Sequence, residues 1–142
     1  NLMNGLKLVW LLPAATLILL SLILWQPRLT GQSNSIRDNF RNRINSSPDF
    51  KLLIEYGCIT CHTTDGSKMM GPSFLELTNG KVTVINAKKK KVEVKIDKNY
   101  IRRSIIDPNA EIVEGFRKFS MPENKGKINK ADLDKIVNLL TP

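Results

Sequence analysis

Histidine is almost absent from this chain, with His62 alone among 142 residues. Cysteine is nearly as scarce, limited to Cys58 and Cys61. These shortages exclude several chemistries. Two cysteines cannot build a disulfide framework, and a bridge across two intervening residues closes a loop too small to stabilise much. A structural zinc site takes four ligands, so two thiols and one imidazole need a carboxylate or a second chain to complete it. Ligation by two histidines of this chain is impossible. Aromatic residues are only 6% of the total, so a small domain has little bulk with which to fill its own core. Acidic residues are outnumbered by Lys and Arg, 13 to 22, for a net charge of +9.

The rare residues stand together in "EYGCITCHTTDG", Glu55 to Gly66. A C-x-x-C-H run fits a redox dithiol, half of a zinc site, or a covalent haem attachment. A thioredoxin-like dithiol follows a strand and opens a helix; here a helix is expected before the motif and a loop after it. In the haem reading both thiols add across the vinyl groups of one ring, and the next residue faces the iron. That reading uses Cys58, Cys61 and His62 together, which the others do not.

The other conspicuous feature is a run without charge. Between Lys7 and Arg28 lie 20 uncharged positions, with Trp10 and Trp25 near the ends. As a helix this run is about 30 Å long, the hydrocarbon thickness of a bilayer, and the tryptophans suit its interfaces. A cleaved signal peptide has a shorter apolar core and a small-residue cleavage site, whereas Leu-Trp-Gln-Pro-Arg follows here. Residues 1–27 therefore read as a single N-terminal transmembrane anchor. Residues 28–47, rich in Asn, Ser and Arg, read as a polar linker with a helical turn around Ile36–Phe40. Residues 48–142 read as a compact domain.

Within that domain, Ser47-Pro48-Asp49 marks a helix start, with Phe50, Leu53 and Ile54 on one face and a stop at Gly57. "KVTVINAKKKKVEVKID" alternates around a polar centre, as a β-hairpin does. The tip carries Lys88–Lys91, either a solvated turn or an electrostatic docking point. Asp97 caps a short helix with Tyr100, Ile101, Ile105 and Ile106 as its apolar positions, and Pro108 lies beyond its end. "NAEIVEGFRKFSMPENKGK" reads as loop. Asn129 caps a terminal helix in which Leu133, Ile136, Val137 and Leu140 recur at helical spacing.

"YGCITCHTTDGS", "GPSFLEL", "YIRRSIIDPNAEIVEGF" and "MPENKGKINKADLDKIVNLL" together resemble a class I cytochrome c domain. More narrowly they are similar to the cytochrome c domain fused to subunit II of bacterial haem–copper oxidases. The chain lacks that subunit's copper-binding residues and has one expected span where it usually has two. In this it is similar to the small anchored subunit of nitric oxide reductases. The resemblance implies a mostly α class I cytochrome c fold with a small β-hairpin insertion, preceded by the single transmembrane helix. It implies one covalent haem c on Cys58 and Cys61, with His62 as one axial ligand of the iron. Met121, before Pro122, matches the family's second axial ligand, and a thioether there raises the potential. Met69 and Met70 are rival thioethers, but they follow His62 too closely for the chain to pass around the ring. The carbonyl of Pro72 is expected to accept the other ring proton of His62. Phe74, Leu75, Ile101, Ile105, Ile112, Phe116 and Phe119 are expected to wall the haem. Arg102, Arg103 and Arg117 face either its propionates or solvent.

The same resemblance implies single-electron transfer in a respiratory chain rather than an enzyme activity of the chain's own. An open distal site would instead make a haem sensor or enzyme. Basic residues after the span would by themselves place the domain in the cytoplasm. Haem attachment to such motifs takes place on the outer side of energy-transducing membranes, so the N-terminus is expected inside and the domain on the periplasmic side. The expected partners are the membrane and respiratory-complex subunits, or another cytochrome with an acidic docking face. No nucleic-acid partner is expected.

Overall fold

The computed structural model describes residues 29–142, with side chains from residue 34 onward, so the expected anchor at 1–27 lies outside the described residues. Residues 34–142 form one compact unit. Its helices are α1 (Leu29–Ser46), α2 (Phe50–Glu55), α3 (Lys98–Ile106) and α4 (Lys130–Leu140). Its strands are β1 (Lys81–Asn86), β2 (Lys91–Lys95) and β3 (Glu111–Val113). Two short 3-10 segments, Cys58–Thr60 and Phe74–Asn79, carry the chain past the motif. No helix among the described residues is long and apolar enough to cross a membrane.

The segment expected as linker, 28–47, is the first correction. Leu29–Ser46 of it form α1, and Phe40 and Ile44 on that helix are buried in the core. They stand one turn apart, so a single narrow stripe suffices to dock an otherwise polar helix. Arg43 donates 2.6 Å to the carbonyl of Thr141, tying α1 to the end of the chain. The compact unit therefore begins near residue 34, not 48.

A second correction concerns α2. Leu52 and Leu53 are buried, while Ile54, expected on the core face, is exposed. With about 100° of rotation per residue, three adjacent apolar residues cannot all face inward on a six-residue helix. Ser47 acts as a turn residue, its hydroxyl accepting from the Asp49 N–H at 3.2 Å, and gives α2 no side-chain cap.

The other two helices are capped where the sequence places the caps. Asp97 accepts from the Tyr100 N–H at 2.8 Å, and Asn129 from the Asp132 N–H at 2.9 Å. Each satisfies one of the unpaired donors of a helix N-terminus. Leu133, Ile136, Val137 and Leu140 are buried as expected, and so is Leu139. Helix α4 packs on both α2 and α3, and the Arg102–Asp134 ion pair, 2.5 Å, bridges α3 and α4.

The hairpin pairs Val82 with Val94 and Val84 with Val92. Its far edge is not free. β3 adds to β1, pairing Val84 with Val113 and Asn86 with Glu111, so the sheet has order β2-β1-β3. The expected hairpin is thus part of a three-stranded antiparallel sheet, and the unit combines helices with that sheet. Residues 111–113, expected as loop, form the third strand.

Candidate functional site

The motif follows directly from the way α2 ends. Gly57 takes the left-handed backbone, φ 70°, which glycine adopts without steric cost. The chain then turns through Cys58–Thr60, and the N–H groups of Cys61 and His62 both donate to the Cys58 carbonyl, at 3.2 and 3.1 Å. In a 3-10 turn residues three apart eclipse, so Cys58 and Cys61 lie along one side. Both are half-buried and unbridged. Cys58 packs against the core, and burial raises its thiol above the usual range, which keeps it protonated at neutral pH.

His62 is held on three sides. Its Nδ1 lies 2.7 Å from the Pro72 carbonyl. A carbonyl can only accept, so Nδ1 carries the proton and Nε2 keeps its lone pair. Phe74 stacks on the ring, with centroids 5.1 Å apart and planes at 15°. On the remaining side, Gly71 leaves no room for a side chain: a Cβ there would stand 2.4 Å from His62 Cε1 and 2.8 Å from Nδ1. Burial pushes the imidazole below its ordinary value, against smaller opposite pulls from the Pro72 carbonyl and Glu76. The ring is therefore neutral at pH 7, the form that ligates a metal.

Ser73 locks the two arms of this loop. It is fully buried. Its hydroxyl donates to the Thr63 carbonyl at 3.0 Å and accepts from the N–H of Gly66 at 3.1 Å. The Phe74 N–H also donates to the Thr63 carbonyl, at 2.8 Å, and the Gly71 N–H to that of Cys61, at 3.0 Å. From α1, Arg41 adds a 3.2 Å bond to the Thr64 carbonyl. Gly71, Ser73 and Arg41 are supports that the sequence reading missed. The first two flank Pro72 in "MGPSF", where a signal existed; Arg41 sits in the stretch read as linker and carried none.

In front of His62 opens a cleft with about 1030 Å³ of empty space, the open solvent at its mouth included. Cys61, His62 and Pro72 line it from one side. Ile101, Ile105, Ile112, Phe116 and Phe119 line it as expected, and Phe74 does too. Leu75, also expected there, lies instead in the core, 1% exposed. The sheet and the residue that follows β2 supply walls that were not foreseen: Val82, Val113 and Ile96.

Met121 lines the cleft and is half-buried. Its loop is held by two asparagines. Asn109 Oδ1 accepts from the Phe119 N–H at 2.9 Å, and Asn124 Nδ2 donates to the Ile105 carbonyl at 3.2 Å. Phe119 adopts φ 63°, unusual for an aromatic residue. Met70 also borders the cleft but is 60% exposed, and Met69 is exposed away from the lining. Of the three arginines, Arg102 and Arg103 are paired with Asp134 and Glu111, and Arg117 lines the cleft. The site thus assembles Cys61, His62, Pro72 and Met121, with Cys58 one turn away. Among the described residues no three His, Cys, Asp or Glu side chains come together to hold a metal ion. No protein-family model matches the chain and no curated protein matches it; the chemistry of the site is carried by its own residues.

Proposed function

We propose that the cleft holds one haem c, joined to Cys58 and Cys61, with His62 and Met121 as axial ligands. On this reading the chain is a membrane-anchored, single-electron carrier of a respiratory chain. It acts as a subunit of, or tethered donor to, a terminal oxidase or quinol-oxidising complex, with its haem domain on the periplasmic side. The observation that carries the reading is the setting of His62. Its neutral ring stands in the wall of an apolar cleft, its Nδ1–H donated to the Pro72 carbonyl, with a thioether on a separate loop of the same cleft.

The residues present fit the group. Thiols on one side of a tight turn suit two attachments to one ring edge. The Cβ-free face of Gly71 is needed to seat the ligand imidazole. The lining suits a large apolar ring, with Arg117 at the wall to meet a carboxylate. A haem bound there would supply the redox centre for single-electron transfer. The Pro72 carbonyl keeps His62 oriented and makes it a more basic ligand. Met121 would be the second residue to hold the iron, and its thioether would favour the reduced state. The apolar walls exclude water.

The test is the mass of the denatured full-length chain, made in a host that assembles c-type haem. One haem should stay bound through denaturation. Cys58→Ala and Cys61→Ala should each leave a single attachment, and the double variant none. A chain with both thiols free after that expression would overturn the reading.

A further inference from the structure

The geometry points to the β1–β2 turn as a docking surface for an acidic protein partner, placed to bring that partner to the cleft. The inference rests on the electron-transfer reading and names the face through which the partner is met. Lys88, Lys89 and Lys90 are exposed, and none pairs with an acidic side chain among the described residues. The fourth lysine of the run, Lys91, belongs to β2 and is consumed by an ion pair with Glu114. The run is therefore not uniform: one lysine ties the sheet, and three project from it.

The turn is ordered by its own hydrogen bonds. Asn86 Oδ1 accepts from the N–H groups of Lys88 and Lys90, at 3.0 and 3.1 Å, and the Asn86 N–H donates to the Lys90 carbonyl at 3.0 Å. Lys89 sits at φ 57°, where turns commonly place glycine or asparagine. The chain keeps a third positive charge at a position that a neutral residue fits better. The backbone that carries the three charges is thus ordered in advance, which leaves only the lysine side chains to be ordered at an interface.

Position supplies the second argument. Asn86, which organises the turn, is the register partner of Glu111, and Glu111 lines the cleft. Adjacent strands lie about 4.8 Å apart, so the base of the lysine turn lies one strand spacing from the cleft-lining Glu111, while Val82 and Ile96 line the cleft from the other end of the hairpin. At the cleft itself Phe119 is 74% and Met70 60% exposed. An exposed apolar centre with charge to one side is the layout of a transient protein interface. Like charges clustered on the same molecule as such a centre raise association rates with an oppositely charged partner. This favours a protein that must approach the cleft over a lipid surface, which needs no such register.

The test uses the full-length protein in nanodiscs of phosphatidylcholine, with a fluorescein-labelled glutamate-rich peptide as probe, followed by anisotropy across a salt series. The variant Lys88→Glu/Lys89→Glu/Lys90→Glu should weaken binding at least tenfold at low salt and flatten the salt dependence. The variant Lys51→Glu/Lys125→Glu/Lys127→Glu makes the same change of charge outside the sheet and should cost less than threefold. Equal losses in the two would overturn the proposal, since net charge alone would then suffice. The Lys88→Gln/Lys89→Gln/Lys90→Gln variant should fall between wild type and the reversal; wild-type binding there would overturn it too. Amine labelling read by mass should show Lys88–Lys90 protected by the peptide. Protection by added phosphatidylglycerol and not by the peptide would assign the turn to lipid and refute the proposal. Peptide binding requires no electron transfer, and covalent haem is read separately as mass, so the two readings fail in different measurements.

Discussion

Gly71→Ala isolates the geometry of the site in one methyl group. Gly71 has an ordinary backbone conformation, so alanine adds no backbone strain. The added Cβ would stand 2.4 Å from His62 Cε1, 2.8 Å from Nδ1 and 2.9 Å from Nε2. Ordinary contact between carbons needs about 3.5 Å, so the ring must retreat by roughly 1 Å. Phe74 blocks one direction by stacking, and the 2.7 Å bond to Pro72 is stretched in the other. Overpacking of this kind costs about 1–3 kcal/mol, and losing the hydrogen bond adds about 1 kcal/mol. The expected destabilisation is about 2–4 kcal/mol, read as a lowered urea midpoint at unchanged slope. On the proposed haem reading, displacing His62 from its supporting bond should also weaken its hold on the iron by about 10–100-fold, seen as spectral heterogeneity in the ferric protein. Gly126→Ala is the contrast. It has open space but φ 75°, so it should cost about 1 kcal/mol through the backbone alone and leave the spectrum intact. A Gly71→Ala protein with wild-type midpoint and spectrum would refute the claim that this glycine seats His62.

Three further outcomes follow from other parts of the unit. Ile44→Ala, at a fully buried position on α1, should destabilise by about 2–4 kcal/mol; an effect below about 0.5 kcal/mol would return α1 to the status of a linker. Hydrogen bonds from Tyr56 and then Asn129 hold the Asp132 carboxyl below the usual carboxylate range. Its contribution is complete above the ordinary value near 3.8 and is lost as the pH falls through its lower folded value. Asp132→Asn should therefore flatten the acid limb of the stability curve below about pH 4, and an unchanged limb would contradict the assignment. Arg41→Gln removes the bond to Thr64 while leaving Ile44 packed; it should speed amide exchange through 63–67 and not in α4, and equal acceleration in both would deny a local role.

The legible parts of the sequence were those with local causes. Asp97 and Asn129 cap because a short side-chain acceptor reaches the N–H three residues on, and both helices begin where that pattern stands. The valine alternation fixed the hairpin register, since a slip by one residue would turn every valine outward. The His62–Pro72 bond was expected from a resemblance and is present at 2.7 Å. What escaped depends on partners distant in the chain. Helix α1 shows one docking pair, Phe40 and Ile44, within a polar composition, and only the cavity it fills makes it more than a tether. β3 is three residues long, too short for a period, and exists because β1 had an open edge. Leu52 and Ile54 exchange roles because a six-residue helix does not fix its own rotation. The role of Gly71 required knowing where the imidazole lies.

The central claim is that His62 and Met121 together hold one iron. The most direct measurement is the ferric absorption spectrum of the full-length protein beside Met121→Ala and Met70→Ala. A methionine-to-iron charge-transfer band should be present in wild type, survive in Met70→Ala and vanish in Met121→Ala. Its absence from wild type, or its loss in Met70→Ala alone, would contradict the account.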